Sequence, residues 1–452
     1  MAQKSAHEID MLHGAIFPQY IRFCLPLALS IMLQLLFNAA DVIVVGRFAG
    51  ADALAAVGST TSLITLLINF FGGLSTGINI MVSREYASSR YEEVSKIVHT
   101  AILTALFGGI LCGAAGAAMT DTILLWMKSP DNIRGLSAVY LHIYYAGLPA
   151  VILYNYGAAV MRSVGDTRRP MLYLLFSGIV NAVLNLILVI YFQMGVAGVG
   201  IATTVSNYLS MLLVIRALLK EDSCLKLRLS ALKPNRKILQ KSLTLGLPIG
   251  LQNSLFSIAN VMIQSSVNSL GSVYMAGNAA ASSVVGFQEA FNSANMSAVL
   301  SFVSQNVGAR KYARTRKIFI SMTLYGVVIV QLICLVFILA RRPLLSLYNT
   351  NPDVIEVGAR RMVIVMAPAF LAIIIDACSS LQRGYGHTVE PMITSLLGAC
   401  GFRIIWLAVV FRHFPLYEVI IAAWPISWFV TMIGHFFVIR KMLRQYPRED
   451  LE

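Results

Sequence analysis

Charged residues are scarce in this sequence. Of its 452 residues, 12% are charged and 57% are hydrophobic, whereas a soluble globular chain carries about 25% charged residues. So few charges cannot cover a water-facing surface of this size. The composition therefore excludes a soluble enzyme, a disordered protein and a disulfide-stabilised scaffold.

Several motifs that carry chemistry are also missing. The sequence has no G-x-x-x-x-G-K-[ST] phosphate-binding loop and no HExxH zinc motif, so ATP-driven work and zinc-dependent hydrolysis are not expected. The seven histidines do not cluster, and the six cysteines form no CxxC pair, which argues against a metal site or a disulfide framework. We therefore expect no enzymatic activity and no resident cofactor.

Long apolar runs take the place of these motifs. A membrane-spanning helix needs about 20 apolar residues, and the runs lack the short alternation of a membrane β-barrel. They therefore predict an all-α integral membrane protein with twelve transmembrane helices. The runs lie at roughly 17–44, 53–82, 94–119, 136–161, 170–192, 195–219, 240–268, 273–304, 317–340, 358–382, 390–411 and 416–439.

The distribution of Lys and Arg predicts the orientation of these helices. If the N-terminus is cytoplasmic, the inner segments hold 25 basic residues and the outer segments hold eight. Because cytoplasmic loops carry the excess of Lys and Arg, both termini are predicted to lie in the cytoplasm, in a multi-pass protein of the cytoplasmic membrane. This asymmetry accounts for the net charge of +14 without a nucleic-acid partner.

The two halves of the sequence resemble each other at an offset of 221 residues. Residues 161–171 read MRSVGDTRRPM and residues 382–392 read QRGYGHTVEPM. Two halves of six spans insert in the same direction, so we predict two pseudo-symmetric six-helix bundles around a central cavity. The predicted domains are an N-terminal lobe (1–219), a cytoplasmic linker (220–239) and a C-terminal lobe (240–452). The basic linker is expected to be a solvated loop that faces lipid headgroups.

The best-supported ionisable residue at membrane depth is Asp41. Gln34, Asn38 and Asp41 are spaced by four and three residues and share one face of the first helix. Carboxylates inside a membrane are costly and usually face protein or water. We predict that Asp41 binds the coupling cation, either H⁺ or Na⁺. The alternative is an Asp that merely caps or anchors the outer end of the helix.

Neutral polar residues on two other helices extend this site. Asn181 and Asn185 share a face of the fifth helix, and Thr203 lies on the sixth. Their oxygens can contribute to a sodium shell, because hard cations take oxygen ligands. They can equally act as interhelical hydrogen bonds that only join the helices.

The C-terminal half repeats the polar stripe without the acid. Asn260 and Gln264 lie on the seventh helix, where Ile263 occupies the position equivalent to Asp41. Glu289 and Asp376 are further acids within predicted spans. These four residues are predicted to line the substrate cavity, so one lobe holds the ion and the other shapes the cavity. A structural ion pair between Asp376 and Arg403 is the alternative for Asp376.

Proline within a spanning helix offers a bend point. Pro26 lies in the first helix, and proline removes a backbone hydrogen bond and can kink a helix. We predict that Pro26 is a hinge whose angle responds to the occupancy of Asp41. Static bending of the helix is the alternative.

Four segments of the sequence resemble the multidrug and toxic compound extrusion (MATE) transporters. They are residues 33–58, 147–171, 181–188 and 195–203, which read LQLLFNAADVIVVGRFAGADALAAVG, GLPAVILYNYGAAVMRSVGDTRRPM, NAVLNLIL and GVAGVGIAT. The resemblance implies export of drugs or metabolites, often organic cations, against inward H⁺ or Na⁺ flow. It also implies that Asp41 belongs to the coupling site with Asn181, Asn185 and Thr203. Asn185 stands where some members have an aspartate, which favours a proton over sodium.

The predicted function is a cation-coupled antiporter that exports small, cationic organic compounds by alternating access, acting as a monomer with membrane lipid around it. The main alternative is a flippase for a lipid-linked oligosaccharide, which shares the two-lobe plan. Such a flippase needs more Arg or Lys in its cavity, and only Arg403 and Arg22 lie within predicted spans. A membrane-embedded transferase or a channel has less support, because no metal-binding Asp pair and no filter-like loop is present.

Overall fold

Helices make up nearly all of the computed structural model, which describes residues 7–450. Fourteen helices, α1 to α14 in chain order, are joined by short connections, and a 3-10 turn at Leu229–Ala231 lies between α6 and α7. Their bounds are Ile16–Ala49, Ala51–Ala87, Tyr91–Trp126, Asp131–Ser163, Arg168–Tyr191, Gly195–Lys220, Arg236–Asn268, Ser272–Gly308, Tyr312–Leu339, Arg341–Ser346, Pro352–Met366, Ala369–Gly384, Val389–Phe411 and Tyr417–Leu443.

The described helices support the predicted membrane architecture. Within residues 7–450, nine helices are long and apolar enough to cross a membrane, or ten if α11 and α12, which meet at 47°, count as one broken span. The twelve predicted runs also include α7 and α8, which have 33 and 37 residues. Those two helices do not meet the apolar criterion. Backbone groups in a bilayer must be satisfied internally, which is why the chain is helical throughout this region.

The chain forms two compact units, and their boundaries fall inside α1 and α7. One unit contains Leu29–Gly250 with described residues up to Ile9, and the other contains Asp10–Ala28 with residues 251–450. The boundary in α1 lies two residues after Pro26, and the boundary in α7 lies two residues after Pro248. The predicted lobe boundaries at 219 and 240 stay a prediction.

Backbone geometry repeats at the offset found in the sequence. Positive φ angles occur at Gly50 and Gly271 (92° and 106°), at Gly165 and Gly386 (95° and 83°), and at Ser89 and Arg310 (61° and 57°). Each pair is separated by 221 residues. Such angles are unfavourable for most residues, so their matched positions indicate that both halves share one chain path.

Glycine permits a close crossing of α2 and α7 in the first unit. A Cβ on Gly73 would lie 2.3 Å from the backbone nitrogen of Gly250, and one on Gly77 would lie 2.8 Å from that of Gly246. On each helix the two glycines are four residues apart, so they lie on one face. Small residues with this spacing let membrane helices approach closely and pack by van der Waals contact.

The linker packs against the first unit, so the expected solvated loop is wrong. Leu225 and Leu227 are 1% and 2% exposed. The backbone N–H of Arg228 donates to His99 Nε2 at 2.9 Å, and His99 Nδ1 lies 2.6 Å from the carbonyl oxygen of Ser95 on α3. His99 therefore attaches the linker to α3. The basic composition of the segment concealed its alternating buried leucines.

Replacing Gly73 by alanine is expected to destabilise the protein. The added methyl group has no space beside Gly250, and overpacking typically costs about 1–3 kcal/mol. Gly72 is the matched control, because nothing lies within 4 Å of a Cβ there and alanine favours a helix. We expect a lower thermal midpoint for Gly73→Ala in detergent and an unchanged or higher one for Gly72→Ala. Equal midpoints for the two variants would contradict the close crossing.

The docked linker predicts an unreactive thiol at Cys224. Burial raises the pKa of the Cys224 thiol to about 12, and the nearby Glu8 carboxylate adds to the increase. Because the thiolate is the reactive form, N-ethylmaleimide at pH 7.5 should label a variant with Cys224 as its only cysteine at least about tenfold more slowly than Ser230→Cys in a cysteine-free chain. Ser230 is the control because it is exposed in the same linker. His99→Ala should accelerate labelling of Cys224, and equal rates at positions 224 and 230 would show that the linker is not docked.

Candidate functional site

The Asp41 carboxylate lies inside the first unit and accepts hydrogen bonds from α5 and α6. The side-chain amide of Asn185 donates to Asp41 Oδ1. When the Asn181 amide is oriented so that both its ends have partners, its nitrogen donates to the same oxygen at 2.9 Å, and its oxygen accepts from the backbone N–H of Thr203 at 3.3 Å. The side chain of Thr203 also forms a hydrogen bond with Asp41. The structure therefore brings Asp41, Asn181, Asn185 and Thr203 together.

The spacing of the two asparagines explains this geometry. Residues four apart share one face of a helix, so Asn181 and Asn185 project from α5 toward one point. Both are largely buried, at 5% and 1% exposure. A π-helical turn begins directly after Asn185, at Leu186–Tyr191, and another begins four residues after Asp41, at Val45–Ala49. Such turns are rare and are frequent at functional sites.

This site suits a proton better than a metal ion. Asp41 is the single carboxylate of the group, and the described residues contain no cluster of three His, Cys, Asp or Glu side chains that could hold a metal. The amide nitrogens compete with a cation for the carboxylate oxygen. Within residues 7–450, the buried Oδ1 of Asn185 has no hydrogen-bond partner, so an acceptor is present beside Asp41 for a proton on that carboxyl group.

Two predicted members of the site stand apart from it. Gln34 and Asn38 lie on α1 with exposed side chains, and the described contacts of Asp41 do not include them. Tyr140 on α4, in contrast, is 8% exposed and lies close enough to Asp41 for an electrostatic interaction. The roles of Gln34 and Asn38 in coupling stay a prediction.

The second unit contains a cavity of about 440 Å³. Glu289, Asp376 and Asn260 line it, as the sequence predicts. Gln264 is not among the described lining residues. Its side chain instead donates to Asn268 and accepts from Asn278, both at 2.8 Å.

Asn292 connects the two acids of this cavity. Its amide nitrogen lies 2.7 Å from Asp376 Oδ2 and 3.4 Å from Glu289 Oε2. No guanidinium nitrogen of Arg403 lies within 4.0 Å of either carboxylate among the described residues, because Arg403 Nε donates instead to Ser427 Oγ at 2.9 Å. The alternative of a direct Asp376–Arg403 ion pair is therefore wrong.

Sequence reasoning missed two arginines of the cavity. Arg361 and Arg383 were counted as loop charges, yet they line the cavity beside Arg403 and are 8% and 3% exposed. The break between α11 and α12 carries the chain inward, so both arginines lie within a broken span. Pro368 between two apolar segments was the available signal for such a break.

Comparison with known proteins identifies the family. The MatE family model matches residues 26–187 and 248–409, once in each half of the chain. The chain is 26% identical over 406 residues to the probable multidrug resistance protein YoeA of Bacillus subtilis, which covers 88% of this chain and 87% of that protein. It is also 26% identical over 398 residues to the probable multidrug resistance protein NorM of Neisseria meningitidis, with 85% and 86% coverage.

Solved structures show the same fold. An outward-facing multidrug resistance MATE family transporter of the MOP superfamily matches with a TM-score of 0.91 and 20% identity, over 98% of this chain and 99% of the other. The fold and the site thus define a multi-pass membrane transporter rather than an enzyme. The chain belongs to the MatE family of multidrug and toxic compound extrusion transporters. The predicted fold class and family are confirmed.

Proposed function

We propose that this transporter is a proton-coupled antiporter of the cytoplasmic membrane, with both termini in the cytoplasm, that exports small organic compounds by alternating access. The observation that carries the proposal is the Asp41 carboxylate, enclosed by donors from Asn181, Asn185 and Thr203. A carboxylate in such surroundings has two well-defined states, charged or protonated. Exchange between them is the event that the transport cycle couples to.

The choice of a proton over sodium follows from the chemistry of the ligands. Sodium needs several oxygen ligands, and this site offers one carboxylate whose oxygen already accepts amide N–H groups. A proton needs a single oxygen and a nearby acceptor. The unpartnered Oδ1 of Asn185 can accept from a protonated Asp41 after a small rotation of either side chain.

Pro26 is the proposed hinge of this cycle. Coupling requires that the ion and the substrate favour different states of the transporter. Asp41 lies in the part of α1 that belongs to the first unit, and Pro26 lies in the part that belongs to the second. Proline interrupts the backbone hydrogen bonds of α1 near this boundary. A change in the contacts of Asp41 can therefore alter the bend at Pro26.

The substrate is proposed to be an organic cation held near Glu289 and Asp376. Both acids line the 440 Å³ cavity, which falls within the usual range for small-molecule sites of about 300–1,000 Å³. The related proteins YoeA and NorM are described as multidrug resistance proteins. A flippase is not favoured, although the buried Arg361 and Arg383 remove part of the argument from sequence against it. The cavity carries charges of both signs, whereas a pyrophosphate site requires an excess of cations without nearby acids.

Replacing Asp41 tests this proposal. In inside-out vesicles with an imposed proton gradient, Asp41→Asn is expected to lower gradient-driven ethidium transport at least about tenfold, because the amide cannot exchange a proton at neutral pH. Asp52→Asn is the matched control, since Asp52 is an exposed acid at the start of α2, and it should transport like the parent. An imposed sodium gradient alone should not drive the parent. Full transport by Asp41→Asn would contradict the proposal.

A further inference from the structure

Three arginines lie buried in the wall of the second-unit cavity. Arg361 on α11, Arg383 on α12 and Arg403 on α13 are 8%, 3% and 4% exposed, and all three line the cavity. Buried charged groups are normally paired, because removing an unpaired ion from water is costly. The hydrogen-bond partners of these arginines are therefore informative.

Every described hydrogen bond of the three guanidinium groups goes to a neutral acceptor. Arg361 Nη1 donates to the Asn278 carbonyl oxygen at 3.0 Å, Arg383 Nη2 to Gln252 Oε1 at 2.9 Å, and Arg403 Nε to Ser427 Oγ. Across residues 7–450, none of the three has a carboxylate oxygen within 4.0 Å of its nitrogens. The Nε atoms of Arg361 and Arg383 are buried there without any partner.

Longer-range charges balance two of the three. Glu289 interacts electrostatically with Arg403, and Asp376 interacts with Arg383. Arg361 has only Tyr417, a neutral phenol, as its interacting neighbour. When all groups are ionised, the cavity carries one more cation than anions, and Arg361 is the unbalanced charge.

An aromatic ring lies beside the two arginines at this end of the cavity. The guanidinium carbons of Arg361 and Arg403 lie 5.6 Å and 5.3 Å from the centre of the Trp424 indole. The ring attracts both cations through its electron-rich face and places two sets of N–H donors close together. Trp428 and Phe256 also line the cavity, so a flat apolar group has surfaces against which to pack.

We propose that Arg361, Arg403 and Trp424 form a subsite for the carboxylate of an aromatic substrate. The substrate carboxylate accepts charge-assisted hydrogen bonds from the two guanidinium groups and balances the excess charge of Arg361. Its ring packs against the aromatic side chains of the cavity. This inference rests on the proposed export function and narrows its substrates to compounds that bear a carboxylate, whether or not they also carry an amine for Glu289 and Asp376.

A purely structural role for the arginines is the competing explanation. Arg361 does support local structure, because it and the Tyr417 hydroxyl both donate to Asn278. A residue that only supports structure gains nothing from an anionic ligand. The two explanations therefore differ in whether the negative charge of a ligand strengthens binding.

Quenching of tryptophan fluorescence tests the subsite directly, since two of the four tryptophans line the cavity. Purified full-length protein in detergent is titrated with 2-naphthoate and with the neutral isostere 2-naphthamide. We expect 2-naphthoate to bind the parent at least about tenfold more tightly. Arg361→Gln and Arg403→Gln should each remove most of this preference, and Arg342→Gln, at an exposed arginine on α10, should retain it.

The comparison of the two probes on the parent needs no variant, so a folding defect in Arg361→Gln leaves the test intact. Equal affinities of the parent for 2-naphthoate and 2-naphthamide would overturn the subsite. A preference that survives in folded Arg361→Gln and Arg403→Gln would also overturn it. These measurements use no ion gradient. The proposed function fails through ethidium transport by Asp41→Asn, so the two failures are distinguishable.

Discussion

A carboxylate at membrane depth has to be enclosed by donors or neutralised, and Asp41 is the residue at which this constraint organises the first unit. Three side chains from α5 and α6 converge on one carboxylate oxygen. Every one of these partners is neutral. The carboxylate is thus stabilised without a fixed counter-ion, which leaves its negative charge available to a cation that comes and goes.

The internal repeat explains why this charge has no equal in the second unit. Both halves follow the same path, with positive φ angles at positions 221 residues apart. Their polar residues have nevertheless diverged. The first unit concentrates hydrogen-bond donors around one acid, and the second surrounds a cavity with two acids and three arginines. One backbone plan thus supplies two kinds of polar site.

The sequence predicted the fold and the centre of the coupling site well. Apolar runs, basic loops and the repeat led to the helical architecture, and the i, i+4 spacing of Asn181 and Asn185 placed them on the face that meets Asp41. The cavity of the second unit was only partly predictable. Arg361 and Arg383 read as loop charges because a span broken between α11 and α12 looks like the end of one. The docked linker was missed because its buried leucines alternate with exposed basic residues.

Proton release on substrate binding tests the central claim most directly. If Asp41 exchanges a proton against the substrate, ethidium binding to the purified protein should release protons at neutral pH. Calorimetric titrations in two buffers of different ionisation enthalpy measure that number. The parent should release a measurable fraction of a proton per bound ethidium, and Asp41→Asn should release none while it still binds. Equal proton release by both proteins, or none by the parent at any pH between 5 and 9, would contradict the account.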